Sequence, residues 1–409
     1  MRFNPFLTRR QFNGASLAAM GLSLFGLSSC KSKKKEGFRI GVLSPKTGVD
    51  SYVGLGCEQG ARTAALFLKD SFPEIEILYV DTESSVDQGR TKAERLISQG
   101  VDLLVGAHNS AVTFAIAQVC EQRHVPLIIN IAAAPKIMEQ GYQYVFRNFP
   151  TSEMLAHQGV KLMKDLFDLK QTYPKTAAIL YTNDTYGQAM HSSVLKTFSL
   201  YNLPFQVVEA VCYDPRTQDL SAEIGRIKSS HAELLIPITR LNDAILMIKE
   251  CVKQRYQPMG IISPASPGMY EKQFHHILGS YADYCITNTA WYNPKSPLAC
   301  KMLEIFQRLY PESHFDLNVA FTCEAVWLAA DVYRRSCLKG QSLIQTLQNT
   351  YLEERVVYGG PLTFDPKGQG VNIGSVCLQN HQGKSKIILP SSLQEIPPVF
   401  PVPSWKMAW

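Results

Sequence analysis

From Phe38 onward the chain alternates short apolar runs with helix-length amphipathic stretches, and this rhythm restricts the fold more than any other feature. "FRIGVLS" (38–44), "IEILYV" (75–80), "DLLVG" (102–106), "PLIIN" (126–130) and "YVFRN" (144–148) are compact aliphatic and β-branched runs. Between them, 58–70, 86–99 and 111–123 carry apolar residues at helical spacing. Such an order predicts a parallel sheet with helices on both faces. The rhythm then restarts. Strands are expected at 176–182, 205–211, 232–238 and 259–264, and helices at 153–168, 187–201, 217–230 and 241–255. Two βα series in succession predict two similar lobes without a repeat in sequence. The stretch 297–338 is helical with no intervening strand. It is followed by the turn-rich "YGGPLTFDPKGQG", one further strand in "GSVCLQN", and the extended, proline-rich "EIPPVFPVPSW".

The first residues read as an address. "TRRQF" carries paired arginines, a short apolar run spans Ala15 to Leu27, and "LSSC" ends at Cys30. This order describes an export signal, with the arginine pair of the route for folded proteins. At about 13 residues the apolar run is shorter than the ~20 a spanning helix needs. "LSSC" resembles a lipobox, in which Cys30 receives lipid and becomes the mature N-terminus. "KSKKKEG" then reads as a solvated basic tether. Removing the signal lowers the formal net charge from +6 to +3, too mild and scattered to argue for nucleic acid. Nine cysteines follow Cys30, none at CxxC spacing. No zinc site, metal or specific disulfide is expected from them, and the His275-His276 pair reads as surface.

With this order in place, five motifs resemble the type I periplasmic binding proteins of the branched-chain amino acid, amide and urea transport family, leucine-binding-protein-like. They are "IGVLSPKTGVDSYVGLGCEQGARTAA", "DLLVGAHNSAVTFAIAQVCEQRHVPLI", "YVFRNFPT", "YTNDTYGQA" and "YGGPLTFDPKGQG". The resemblance covers roughly 38–390. It implies an α/β fold of two Rossmann-like lobes joined by three crossings, near Phe146–Pro150, Thr287–Tyr292 and Tyr358–Pro361. The expected division is a signal at 1–29, a lipidated tether at 30–37, a first lobe at 38–148 plus 290–360, a second at 149–289 plus 361–390, and a tail at 391–409. It further implies no catalysis and no cofactor. The expected role is a lipid-anchored periplasmic receptor that carries a small solute to an ABC permease. The rival expectation is a lipoprotein interaction module on the same fold, acting on a membrane or cell-wall complex with a degenerate cleft. No GxSxG, HExxH or Walker loop suggests an enzyme.

Candidate ligand contacts follow from the same comparison. "VGAHNSA" ends a strand and opens a helix, where backbone amides favour negative charge. Either Asn109 or Ser110 is a plain N-cap, or Ser110 faces an anion, as the matching serine does for the amino-acid carboxylate in the family. Tyr186 matches a cleft aromatic of the second lobe, and Tyr52 stands one place before the family's aromatic-Gly junction. In "NIAAAPKI" the residues are Ala132 and Ala133, where the family often has a threonine at the second. In "PASPGM" Ala265 replaces the glutamate that meets a ligand ammonium. Thr239 and Arg240 follow "LIPI", and Arg240 either pairs with an anion or is a solvated helix-start residue. Arg147 reads as a structural hinge residue. Without the threonine and glutamate, a neutral amide or anionic solute is expected to bind better than leucine, isoleucine or valine.

Overall fold

The structure, a computed structural model, describes residues 37–405. The export signal, the Cys30 lipidation site, nearly all of the tether and the last four residues of the tail lie outside the described residues.

The first series runs β1 (Phe38–Ser44), α1 (Ser51–Leu68), β2 (Ile75–Asp81), α2 (Val86–Ser98), β3 (Leu103–Val105), α3 (Ser110–Arg123), β4 (Leu127–Ile129) and β5 (Val145–Arg147). Its strands form one parallel sheet in the order β2-β1-β3-β4-β5. The second series runs α4 (Ser152–Lys170), β6 (Thr176–Thr182), α5 (Thr185–Tyr201), β7 (Gln206–Tyr213), α6 (Ser221–Ser229), β8 (Leu234–Ile238), α7 (Leu241–Lys253), β9 (Gly260–Ser263), α8 (Lys272–Leu278) and β10 (Ile286–Ala290). After α9 (Pro297–Leu309), α10 (Leu317–Lys339) and α11 (Leu343–Gln348) come β11 (Gly359–Phe364), β12 (Gly370–Ile373), β13 (Ser375–His381) and β14 (Lys384–Leu389). The second sheet has the order β14-β13-β10-β9-β8-β6-β7, parallel from β7 to β10 and antiparallel at β13 and β14. The two βα sheets expected from the sequence are therefore present.

Several details differ from expectation. β10 continues through Ala290 in the second sheet, one residue past the expected change of lobe. "YGGPLTFDPKGQG" is not simply a turn, since Gly359–Phe364 pairs with Gly370–Ile373 as a hairpin. Helix α6 begins at Ser221 rather than near 217, because 214–219 form side-chain-capped turns: Asp214 accepts from the Arg216 amide at 2.8 Å, and Thr217 donates to the Asp219 carbonyl at 2.7 Å. The tail is anchored. Phe400 is buried against Phe167, and the Val402 amide donates to the Met259 carbonyl at 2.9 Å.

Helix α10 is apolar on nearly all sides and accordingly buried on nearly all sides. It packs chiefly on α1, where Gly60 lies so close to the Val319 backbone that a Cβ would collide with it. The 297–338 helices thus cover the first sheet. Glu324 of α10 then ties this layer to the strand crossing that follows α11. It accepts from Arg355 Nη2 at 2.6 Å and from the Val356 and Val357 amides at 3.0 Å each, with both side chains out of solvent. Glu324→Ala strands a buried guanidinium and two amides. It should cost about 3–5 kcal/mol in urea unfolding, and a loss below 1 kcal/mol would contradict this role.

Candidate functional site

In open parallel sheets, loops diverge at the point where strand order reverses, and the carboxyl ends of those strands form a crevice. Here the reversals lie between β1 and β3 and between β6 and β8. Their four following loops carry Asp50, His108 to Ser110, Asp184 to Tyr186, and Thr239 to Arg240. These loops meet. A cavity is lined from the first sheet's side by His108, Asn109, Ser110, Ile131 and Ala133, and from the second by Tyr186, Arg240, Ala265, Pro267 and Tyr270. Phe149, Leu155, Thr289, Leu317 and Asn318 complete the wall.

The Asn109–Ser110 turn resolves into two separate roles. Asn109 is the N-cap of α3, with Oδ1 accepting from the Ala111 amide at 3.0 Å and the Val112 amide at 3.4 Å. Ser110 is the first helical residue and buried, and its hydroxyl has no hydrogen-bond partner among the described residues. It faces the cavity at the positive end of α3. Gly106 permits this approach: at φ +146° it lies against the Leu43 carbonyl, where a Cβ would clash.

Arg240 sits at the N-cap of α7 and is held between two carboxylates. Nη1 donates to Asp184 Oδ2 from its own sheet's side, while Nε lies 3.9 Å from Asp50 Oδ1, from the first sheet's side. Its guanidinium also covers the Tyr186 ring, 5.4 Å from the centroid. Burial opposes its charge, but Asp184 and Asp50 outweigh burial and hold its pKa above the ordinary arginine range. It is neither a solvated helix-start residue nor an unpaired cation awaiting an anion. Asp184 has a second task as the α5 N-cap, accepting from the Gly187 amide at 2.8 Å.

His108 is the polar group that sequence reasoning passed over. Its side chain is buried, neither ring nitrogen has a hydrogen-bond partner, and Nε2 lies 3.8 Å from Asp50 Oδ1. Burial and the nearby Arg240 lower its pKa, with Asp50 acting in the opposite sense. In its neutral form the ring has one N–H and one lone pair to offer. Tyr270 is the second omission: buried, edge-on to Trp291 at 5.2 Å, with an unpartnered hydroxyl. Burial, then Glu271, pushes its pKa well up. Both would have been visible only as neighbours of the motifs, His108 just before Asn109 and Tyr270 just after "PASPGM".

The remaining expected residues divide. Ala133 and Ala265 line the cavity, and the Ala265 carbonyl accepts the Tyr186 hydroxyl at 2.7 Å. Tyr52, Ala132 and Thr239 stand behind the wall. Tyr52 is packed in the core with its hydroxyl unpartnered, and Thr239 is fully buried, its amide donating to Ser266 Oγ at 2.9 Å. The Ala132 carbonyl accepts from Arg147 Nη1 at 3.0 Å, as does that of Ala134. Arg147, wholly buried, thereby fixes Ala133 from both flanks, and its Nε donates to Gln369 Oε1 at 2.7 Å. Burial pushes its pKa down to about 9. Among the described residues no His, Cys, Asp and Glu cluster is arranged to hold a metal, all nine cysteines are free thiols, and no helix is long and apolar enough to cross a membrane.

Two βα sheets, one wholly parallel and one mixed, with facing switch points and a partly apolar cavity at their loops, define a two-lobed α/β architecture. The periplasmic binding protein family model matches residues 37–377, and the chain belongs to that family. Its leucine-binding-protein-like character appears in a relative, Leu/Ile/Val-binding protein homolog 8 of Brucella abortus, 25% identical over 262 residues. That match covers 59% of this chain and 62% of the relative, so it spans about three fifths of that protein's length. Among solved structures, leucine-binding protein LivK from Thermotoga maritima superposes with a TM-score of 0.72 at 18% identity, over 86% of this chain and 97% of that one. A solute-binding protein of an ABC transporter from R. palustris, in complex with benzoate, gives 0.73 at 17% identity, over 86% and 95%. These likenesses establish the fold.

The division of roles at the α3 turn is testable by unfolding alone. Asn109→Ala should lose about 1 kcal/mol of stability with its cap, whereas Ser110→Ala should stay within about 0.5 kcal/mol of the parent. The reverse order would mean that Ser110 is the cap.

Proposed function

We propose that the chain is the extracytoplasmic solute-binding component of an ABC importer, non-enzymatic, lipid-anchored through Cys30, and closing its two lobes on a small solute that it delivers to a membrane permease. The observation that carries this reading is a set of uncommitted polar groups around one cavity: the buried, unpartnered His108 ring and Tyr270 hydroxyl, with Ser110 Oγ, which makes no hydrogen bond among the described residues, beside them. Buried polar groups left unpaired are costly, and a bound solute relieves that cost. The solute is amino-acid-like or an amide. Its carboxylate or carbonyl oxygen lies at the start of α3, and its apolar body meets Phe149, Leu155 and Leu317. A bare anion fits less well than the sequence suggested, because Arg240 already has two carboxylate partners. The family supports transport as the purpose, and the names of the relatives support amino acids or small carboxylates as the class.

Thermal-shift screening of amino acids, amides and small carboxylates, followed by calorimetry on the solute found, tests the site. Ser110→Ala should weaken binding by tenfold to a hundredfold, the loss of about 1.5–3 kcal/mol expected for a hydrogen bond to a charged or strongly polar group. Full affinity in that variant would place the solute elsewhere. Anchoring is tested separately: Cys30→Ala should release the protein into the soluble fraction, and unchanged membrane retention would contradict lipidation.

A further inference from the structure

Glu271 and Lys272 stand at the start of α8, on the second sheet's side of the cavity, and both side chains leave their own helix. Glu271 occupies the N-cap position yet makes no cap hydrogen bond. Its Oε1 instead accepts from Asn318 Nδ2 at 3.1 Å, in the first turn of α10 across the cavity. The same Asn318 amide lies 3.4 Å from Asp316 Oδ2, and Asp316 caps α10 by accepting from the Val319 amide at 3.0 Å. One amide group thus joins two carboxyls that come from opposite sides. At the surface beside them, Lys272 Nζ donates to the Glu312 carbonyl at 2.6 Å and lies 3.5 Å from the Glu312 carboxylate.

Among the described residues no basic side chain is paired with either carboxyl. The other titratable groups that these carboxyls influence are Tyr52 and Cys57 of α1 and Tyr270 of the loop before α8, and Asp50 influences Tyr52. Lys272 is turned to Glu312, His275 of α8 to Ser385 at 3.3 Å, and Arg240 to Asp184 and Asp50. Close to α10, His314 is influenced by Lys272 and Lys384 and is held toward its neutral form by burial. Two carboxylates brought to one amide group, Asp316 buried and Glu271 half-buried, repel, and a shared proton removes that repulsion.

We propose that closing the cavity takes up a proton, shared by Glu271 and Asp316 across the cleft, so that the closed form gains as pH falls. The inference rests on the two-lobed cleft of the proposed function but not on its solute. Burial first, then Asp316, raises the Glu271 pKa well above the usual carboxylic-acid range, and burial raises that of Asp316. With the lobes apart each carboxyl meets water and titrates near its ordinary value of about 4. Between these limits the closed form binds more protons than the open form. Its advantage is complete below the open-form pKa and disappears as pH rises toward the closed-form pKa, by up to about tenfold in the closed-to-open ratio per pH unit. Above that window the pair opposes closure, and solute contacts must overcome it.

Small-angle scattering of the ligand-free full chain between pH 5 and pH 8 tests this directly. The radius of gyration should rise with pH in the parent protein. Glu271→Gln, which keeps the acceptor for Asn318 without the titration, should stay compact across the range. Asp316→Asn, which retains a capping oxygen, should flatten the profile as well and decides the matter if the first variant fails to fold. Glu312→Gln, at the exposed Lys272 contact, should keep the parent profile. A flat profile in the parent, or an unaltered profile in both carboxyl variants, would overturn the proposal. Because no solute is present, failure to find a ligand leaves this result intact, and the two ideas fail separately.

Discussion

Arg240 joins the two halves of the site. Its guanidinium is fixed by Asp184 at the end of one sheet and approached by Asp50 at the end of the other, with the Tyr186 ring beneath it. Carboxylate partners offset part of the cost of desolvating that cation. Asp184 is hydrogen-bonded to Arg240, Asp50 approaches it with Oδ2 unpartnered among the described residues, and Ser110, His108 and Tyr270 supply further polar groups to the cavity wall. On the proposed reading, Ser110, His108 and Tyr270 favour a solute with an oxygen acceptor at the α3 end and apolar surface beyond it.

Those donors are held by structure several residues away. Asn109 takes over the capping of α3, which leaves the Ser110 hydroxyl uncommitted. Arg147 fixes the carbonyls on both sides of Ala133, and its partner Gln369 donates to the Phe149 carbonyl at 2.9 Å, so two parts of the wall share one hydrogen-bonded support. Arg147 lies at the end of β5 and Gln369 just before β12. A side chain read from the sequence as belonging to the hinge therefore also shapes the pocket.

Much of the fold was legible because burial and periodicity agreed. "TAAILYT" is an almost wholly buried aliphatic strand, and its boundaries match β6. "ITNTA" escaped notice because β10 carries Thr287, Asn288 and Thr289 in a central, buried position. Only part of their polarity is met locally: Asn288 Nδ2 donates to the Ser263 carbonyl at 3.2 Å, while its Oδ1 has no partner among the described residues. The hairpin at 359–373 reads as turns because glycine and proline dominate it. In the site, the Asn109–Ser110 turn was legible from its place between strand and helix. Its division of labour was not, because both residues are good caps. The roles of Asp50, His108 and Glu271 were not legible, for they arise from contacts between segments far apart in sequence, such as Glu271 with Asn318.

The central claim is that loops from both sheets hold one solute together. Hydrogen–deuterium exchange of the full chain, with and without the solute that raises its melting temperature most, addresses this directly. The account predicts simultaneous slowing of exchange at the α3 start around Ser110 and at the α5 start around Tyr186. Slowing on one side only, or at neither, would contradict it.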